Sequence, residues 1–417
     1  MRVQRKHRTI LGTGLAALSL LALAACGNGA GAGAGAAAAN TNGSSSSGSS
    51  GGAYNVVLIS DLSGDFSSVS APGAAGAEVA VDNINASGGV NGKKLNLQVV
   101  DSQSSASMAL TAAQKAIAEN PLALIMLSGS AGASAITSLV QSAHVPFLSP
   151  ALSDTSVYPA QPFLYQPSLT AQQDAQAMYE FVKQHENGSL SGKVIDIAAI
   201  NSPYVAVIVK DVSTLLKGSG GKVASVEQYD LPLASFATQA DAIARDKPNV
   251  VLTLGSTDDT VVVSKALTAA GVGALQVGIP SGAGQDTLQQ IGSANYYGMT
   301  ADPYPSELPN LLAIAGSHGQ KTEMSGSIFS MSGWVTVYML ADALKQCGDS
   351  CSSTSLNSAL EHVSNYTVPD GVSYGPVSFS GSDHAAVSTV RFRSYNPASH
   401  QFTESSPISV GTGSGNG

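Results

Sequence analysis

Small hydroxyl-bearing residues and glycines gather in short segments that directly follow predicted strands. Serine and threonine hydroxyls, together with free backbone N–H groups at the starts of helices, suit the binding of a carboxylate or another polar group. These segments lie at 61–70, 128–130, 150–153, 201–204, 255–257 and 280–284. Their chemistry predicts reversible binding of a small polar molecule.

The residues that could carry enzyme catalysis are scattered along the chain. The histidines from His144 to His400 are far apart in sequence and show no metal-ligand spacing. No Gly-x-Ser-x-Gly nucleophile elbow follows a predicted strand, and no Walker A motif is present. The sequence therefore predicts a protein that is not an enzyme and that needs no cofactor.

The elements that must position the binding segments alternate between strands and helices in two blocks. Predicted strands lie at 54–60, 94–100, 122–127 and 145–149, and again at 194–200, 222–229, 250–254 and 276–279. Helical patterns fall between them, near 74–86, 105–119, 205–217 and 235–245, with others starting at 130 and 258. This alternation implies parallel sheets with right-handed crossovers, and hence an α/β fold with two doubly wound lobes. Such sheets bind ligands at the carboxyl ends of their strands.

Length and charge limit the possible partners. The predicted folded region, from about 53 to 410, is too long for one ordinary core and fits two domains. The formal net charge is -9, the charged content is 11%, and the sequence contains no basic run. These values argue against nucleic acid and against electrostatic binding to anionic lipid. We expect a monomer.

The N-terminal segment is typical of an export signal. A basic start is followed by an apolar run over 10–24 and by small residues before Cys26. At about 15 residues, the run is shorter than the roughly 20 that a membrane-spanning helix needs, which disfavours the alternative of a transmembrane anchor. Leu23-Ala24-Ala25-Cys26 resembles the lipobox of bacterial lipoproteins. The resemblance implies a signal peptide over 1–25 and a lipid on Cys26.

Low-complexity segments flank the predicted folded region. Residues 26–52 contain no large apolar residue and almost no charge, and residues 411–417 are similar. Such segments bury too little surface to offset their ordering entropy. We therefore expect a flexible linker and tail, with the protein extracytoplasmic and lipid-anchored to the bacterial cell membrane.

Cys347 and Cys351 lie four residues apart at the end of an apolar helical pattern. In an oxidising compartment they could form a disulfide. A metal pair is the weaker alternative, because no histidine pair or further cysteine completes a site.

Several motifs together resemble the leucine/isoleucine/valine-type substrate-binding lipoproteins of ABC transporters. They are INASGGVNGKKL at 84–95, VPFLSPALS at 145–153, YMLADA at 338–343 and GPVSF at 375–379. The resemblance implies the type I periplasmic-binding-protein fold, whose two Rossmann-like lobes are joined by a hinge. The first lobe would comprise 54–166 and 303–372, and the second 167–302 and 373–410.

The resemblance also implies which residues bind the ligand. In the family, the loops that match Ser128, Gly129, Ser130, Ala151 and Ser153 hold a carboxylate. An aromatic residue from the second lobe corresponds to Tyr204.

The side that binds the amine departs from the family pattern. The family tyrosine aligns near Ser256 or Thr257, and the usual acidic residue aligns near Ser281. Asp258 and Asp302 are nearby carboxylates outside the expected place. A buried ammonium without a carboxylate partner is costly. Either another acid serves, or the ligand is not a simple α-amino acid.

These features predict a solute-binding lipoprotein of an ABC importer. It would capture a small polar solute, such as an amino acid or a related amide or carboxylate, by hinge closure and present it to a membrane permease. The alternative is an extracytoplasmic sensor subunit that signals to a membrane partner. An exported hydrolase is disfavoured, because no catalytic constellation is present.

Overall fold

The computed structural model describes residues 52–127, 129–325 and 327–411. Its strands belong to two sheets. They are β1 (Tyr54–Ser60), β2 (Leu95–Asp101), β3 (Ala123–Leu127), β4 (Phe147–Leu148), β5 (Leu164–Tyr165), β6 (Val194–Ile200), β7 (Lys222–Tyr229), β8 (Val250–Leu254), β9 (Leu275–Gly278), β10 (Tyr296–Thr300), β11 (Thr389–Asn396), β12 (Gln401–Glu404) and β13 (Ile408–Ser409).

Helices connect and cover these strands. The α-helices are α1 (Ser67–Ala86), α2 (Ala106–Ala118), α3 (Ser130–Ala143), α4 (Asp154–Val157), α5 (Ala171–His185), α6 (Pro203–Gly218), α7 (Ala237–Asp246), α8 (Thr257–Ala269), α9 (Gln285–Ile291), α10 (Pro309–Ser317), α11 (Lys321–Ser325), α12 (Phe329–Cys347) and α13 (Ser353–Leu360). Short 3-10 helices lie at Pro280–Gly282, Pro305–Glu307 and Pro369–Gly371.

The first sheet has the order β2-β1-β3-β4-β5, and all of its paired strands are parallel. Side chains of β1 alternate between two cores. Val57 and Ile59 pack with α2 and α3, whereas Val56 and Leu58 pack with α1 and α12. Apolar residues on both faces are what a parallel sheet requires when helices cover it on both sides.

The second sheet has the order β12-β11-β10-β9-β8-β6-β7. Strands β6 to β10 pair with one another in parallel. Strand β11 runs antiparallel to β10 and also pairs with β12 and β13. Strand β8 is buried along its whole length, in agreement with its continuous apolar sequence.

Glycines let α1 and α12 approach closely. A Cβ atom added to Gly76 would lie 1.9 Å from the carbonyl oxygen of Ser330, and one added to Gly333 would lie 1.9 Å from that of Gly73. Neither position leaves space for a larger side chain. Helix α12 is thereby fixed beside α1, although more than 240 residues separate the two glycines in sequence.

The predicted strand–helix alternation is confirmed, with differences at the boundaries. Helix α1 begins at Ser67 instead of near residue 74, so the 61–70 segment is partly helical. The predicted strand at 145–149 shortens to Phe147–Leu148. Helix α5 was not predicted, and it lies between β5 of the first sheet and β6 of the second. The lobe boundaries given above stay a prediction.

Cys347 and Cys351 lie at disulfide-bonding distance, with their Sγ atoms 2.04 Å apart, at the end of α12. None of the helices in the described part of the chain is long and apolar enough to cross a membrane. The predicted signal peptide, Cys26 and nearly all of the linker lie outside the described residues, as do residues 412–417 of the tail.

Candidate functional site

A cavity of about 220 Å³ lies where the carboxyl ends of strands from both sheets face each other. Leu127 at the end of β3 and Pro150 after β4 line it from the first sheet. Ile200 at the end of β6, Gly255 after β8 and Ile279 after β9 line it from the second. The position is the one that open α/β sheets use for ligands.

Most of the loops that supply the predicted ligand-binding residues meet at this cavity. Ser130, Ala151, Tyr204, Ser256 and Ser281 all line it. The structure therefore brings together residues that are up to 151 positions apart in sequence.

Gly129, Ser153 and Thr257 are not among the residues that line this cavity. Gly129 is the N-cap of α3, and its backbone N–H donates to Asp61 at 3.3 Å. Ser153 is exposed and bonds to the hydroxyls of its helical neighbours. Thr257 lines an adjacent cavity of about 280 Å³, which shares Ser281 with the first. Ser128 lies outside the described residues.

The first turns of several helices face the cavity, among them those of α1, α3 and α6. Phe66, the N-cap of α1, lines it together with Ser130 of α3 and Ser202, the N-cap of α6. The N-terminus of a helix carries a partial positive charge and unpaired N–H groups. This edge of the cavity can therefore hold the electronegative end of a solute.

Ser130 and Tyr204 contact each other across the cleft. The backbone N–H of Tyr204 donates to Ser130 Oγ at 3.3 Å, which links the start of α6 to the start of α3. The hydroxyl oxygen of Ser130 acts as the acceptor, so its own hydrogen remains available to a ligand.

Asp174, on α5, is a cavity residue that the sequence did not suggest. Its Oδ2 accepts a hydrogen bond of 3.0 Å from the Tyr204 hydroxyl, while its Oδ1 is buried with no hydrogen-bond partner among the described residues. Burial raises the pKa of Asp174 to about 8; the Tyr204 bond opposes this shift and the charge of Asp154 adds to it. Burial thus favours the neutral form of this side chain.

Asp302, which follows β10, supplies a second carboxyl group to the cavity. The residue is half-buried, and burial raises the pKa of its carboxyl group to about 7. No hydrogen bond to this carboxyl group comes from the described residues. Asp258 is exposed on the first turn of α8 and lines neither cavity.

The hydroxyl groups of Ser256 and Ser281 are already engaged as donors. Ser256 Oγ donates to Asp259 Oδ1, and Ser281 Oγ donates to the carbonyl oxygen of Gly255. Asp259 is fixed in turn by the Tyr229 hydroxyl at 2.6 Å. Toward a ligand, these two serines therefore offer lone pairs rather than hydrogens.

Apolar side chains form much of the remaining wall. Phe66, Leu127, Ile279 and Phe329 line the cavity, and no lysine, arginine or histidine is among its described lining residues. Ser70, which is 2% exposed, also lines it, and its Oγ has no hydrogen-bond partner among the described residues. The site can thus enclose a partly apolar solute and still offer it several polar contacts.

Two α/β sheets whose strand ends face each other across a cavity are the arrangement of the type I periplasmic-binding-protein fold. The chain belongs to the periplasmic binding protein family, whose sequence profile matches residues 53–400. This match confirms the family resemblance seen in the sequence. No curated protein sequence matches the chain at a significant level.

Solved structures show the same fold. The branched-chain amino acid transporter substrate-binding protein LivJ of Streptococcus pneumoniae, in complex with isoleucine, is 18% identical; the match covers 86% of this chain and 99% of LivJ, with a TM-score of 0.71. A branched-chain amino acid ABC transporter protein of Thermus thermophilus with bound valine is 14% identical, covering 86% and 97%, with a TM-score of 0.77.

A solute-binding protein of an ABC transporter from R. palustris, in complex with benzoate, is 18% identical. The match covers 86% of this chain and 97% of that protein, with a TM-score of 0.73. At these identities the likeness establishes the fold, and the predicted type I periplasmic-binding-protein fold is confirmed.

Proposed function

We propose that this protein is an extracytoplasmic, lipid-anchored solute-binding protein of an ABC importer. The cavity between the two sheets carries the proposal, because residues from both sheets line it and the buried Asp174 Oδ1 and Ser70 Oγ have no hydrogen-bond partner among the described residues. The family match and the ligands named for the structural relatives, isoleucine, valine and benzoate, support it.

The proposed mechanism is capture by closure. A solute first contacts the α1 and α3 edge of the cavity, and Tyr204 and the second lobe then complete the enclosure. A ligand favours the closed form to the extent that it binds that form more tightly than the open one. No covalent chemistry is required of the chain.

Thermal-shift screening of the purified full chain tests solute binding. We expect at least one amino acid, amine, amide or small aromatic acid to raise the midpoint of unfolding. A ligand at 100 times its Kd stabilises the folded state by about 2.7 kcal/mol. A broad library in which no compound raises the midpoint would contradict the proposal.

The anchor and the transport role need separate measurements. Metabolic labelling with an alkyne fatty acid should mark the wild-type chain, whereas Cys26→Ser should abolish labelling and release the protein from the membrane.

Uptake of the solute found by screening should fall in cells that lack this protein. Normal uptake in those cells would favour the sensor alternative instead.

A further inference from the structure

The second cavity, of about 280 Å³, adjoins the one that most of the predicted ligand-binding residues line. Ser281, Ile328 and Phe329 line both cavities, which places the two side by side. Ser281 and Ile328 are buried at this junction, with exposures of 8% and 6%. The cleft between the two sheets therefore extends beyond the first cavity.

Helices from both sides of the cleft form the second cavity. Helix α1, which packs against the first sheet, contributes Ser68, while α8 and α9, beside the second sheet, contribute Thr257 and Thr287. Three further lining residues are exposed, namely Asp286, Gln290 and Thr322. The second cavity therefore reaches solvent.

The two cavities differ in their chemistry. Apolar side chains form much of the wall of the first, whereas hydroxyl groups are frequent in the second. The hydroxyl-bearing residues of the second cavity are Ser68, Thr257, Ser281, Thr287, Thr322 and Ser327. A hydroxyl group can both donate and accept a hydrogen bond. Such a lining suits a neutral group that also does both.

Several of these hydroxyl groups have no hydrogen-bond partner among the described residues. Thr287 is 3% exposed, and its side chain forms no hydrogen bond within the described part of the chain. Ser68 Oγ and Thr257 Oγ1 are buried and equally without a partner there. A buried hydroxyl group without a partner is costly, and it marks a place that a polar group of a ligand can fill.

We propose that the second cavity is a further part of the solute-binding site and holds an uncharged end of the solute that carries hydroxyl or carboxamide groups. The inference rests on the proposed function and extends it. The solute is then elongated, with an apolar body in the first cavity and a polar end in the second.

The charges around the second cavity favour a neutral end. No lysine, arginine or histidine is among its described lining residues, so an anionic end would lack a partner. A cationic end would find only Asp286, which is exposed and whose charge is screened by water.

Matched benzoates test whether the second cavity binds a polar end. The ring suits the apolar walls of the first cavity, and the carboxylate suits the first turns of α3 and α6. Calorimetric titrations of the full chain should compare 3- and 4-butylbenzoate with benzoates that carry a 3-carbamoylpropyl chain at the same positions. We expect the better amide to bind at least about tenfold more tightly than its butyl counterpart, a gain typical of one or two hydrogen bonds.

The same titrations separate this inference from the proposed function. Equal or tighter binding of the butyl compounds would overturn the inference but keep the proposed function, and the second cavity would then be a solvent-filled entrance. Failure of all four benzoates to bind, while another compound of the broad library raised the midpoint, would overturn it too. If no compound of that library bound either, the proposed function would also fail.

Isosteric variants locate the polar end. Thr257→Val and Thr287→Val each remove one hydroxyl group from the second cavity, and each should reduce the preference for the amide over its butyl counterpart at least about threefold. Thr214→Val removes an exposed hydroxyl group on α6 outside both cavities, and this matched control should leave the preference unchanged. A preference that stayed the same in both cavity variants would show that the amide lies elsewhere and would overturn the assignment.

Discussion

The backbone N–H of Tyr204 donates a hydrogen bond of 3.3 Å to Ser130 Oγ and joins the first turns of two helices across the cleft. Residues that are 74 positions apart thus meet at the rim of the cavity. The contact uses the oxygen of Ser130 and leaves its O–H for the solute. One serine can therefore serve both closure and binding.

Ser130→Ala should weaken solute binding by up to about tenfold, because one hydrogen bond contributes roughly 0.5–1.5 kcal/mol. Ser153→Ala should leave the affinity unchanged, since Ser153 is exposed and lies outside the cavity lining. Isothermal titration of both variants with the solute found by screening makes the comparison. A larger loss in Ser153→Ala than in Ser130→Ala would contradict this arrangement.

Tyr204→Phe should destabilise the ligand-free protein by about 1–3 kcal/mol. The variant removes the O–H that donates to Asp174 and leaves that buried carboxyl group without its side-chain donor. Urea denaturation measures the change in the free energy of unfolding. The double variant with Asp174→Ala is the control, because alanine removes the acceptor of the same hydrogen bond, so the two losses are coupled and should not add. Fully additive losses would show that the Tyr204–Asp174 bond contributes nothing.

Local sequence pattern was sufficient to predict much of the framework. Val250–Leu254 is a continuous apolar run, and it forms β8 with the predicted limits. The serine-rich segments that follow strands could be identified as candidate binding loops, because the carboxyl ends of parallel strands share one edge of a sheet. The same reasoning placed Ser130, Tyr204, Ser256 and Ser281 near one another.

The acids of the cavity could not be predicted in the same way. Asp174 lies in the first turn of α5, where a carboxylate usually faces solvent, but it is buried and bonded to the Tyr204 hydroxyl. The capping box formed by Thr170 and Gln173 is a local signal that could have revealed this helix. Phe329 of α12 also lines the cavity. The apolar periodicity of α12 predicts a helix but does not indicate that its first turn lies beside the strand ends.

The close approach of α1 and α12 predicts a steric effect. Gly333→Ala should lower stability by about 1–3 kcal/mol or more, because the added methyl group would overlap the carbonyl oxygen of Gly73. Gly316→Ala is the matched control: it lies on α10, where the nearest atom to an added Cβ is the Lys321 side chain at 3.8 Å. The control should be neutral or stabilising, by up to about 1 kcal/mol.

Melting temperatures of the two glycine variants, measured by circular dichroism, provide the comparison. An equal change in both variants would show that the effect comes from helix propensity rather than from the contact between α1 and α12.

The cysteine pair at the end of α12 should be unreactive toward alkylating reagents in the native, non-reduced protein. Mass spectrometry after iodoacetamide treatment should detect no modification of Cys347 or Cys351 before reduction and two modifications after it. A disulfide that closes so short a loop stabilises the folded state by roughly 2 kcal/mol, if its effect is to lower the entropy of the unfolded chain. Cys347→Ser with Cys351→Ser should lower stability by no more than about that amount. Two alkylated thiols before reduction would disprove the disulfide.

The raised pKa of Asp302 predicts how stability depends on pH. Unfolded aspartate has a pKa of about 3.9, whereas the folded value is about 7. Between these values the folded state holds a proton that the unfolded state has lost, so the contribution of Asp302 becomes less favourable as pH rises. The Asp302→Asn variant has no ionisable group at this position. The melting temperature of the variant minus that of wild type should be near zero at pH 4 and should increase to a maximum above pH 7. Asp258→Asn is the exposed control. A difference between Asp302→Asn and wild type that is constant from pH 4 to pH 8 would show that the carboxyl group ionises equally in both states.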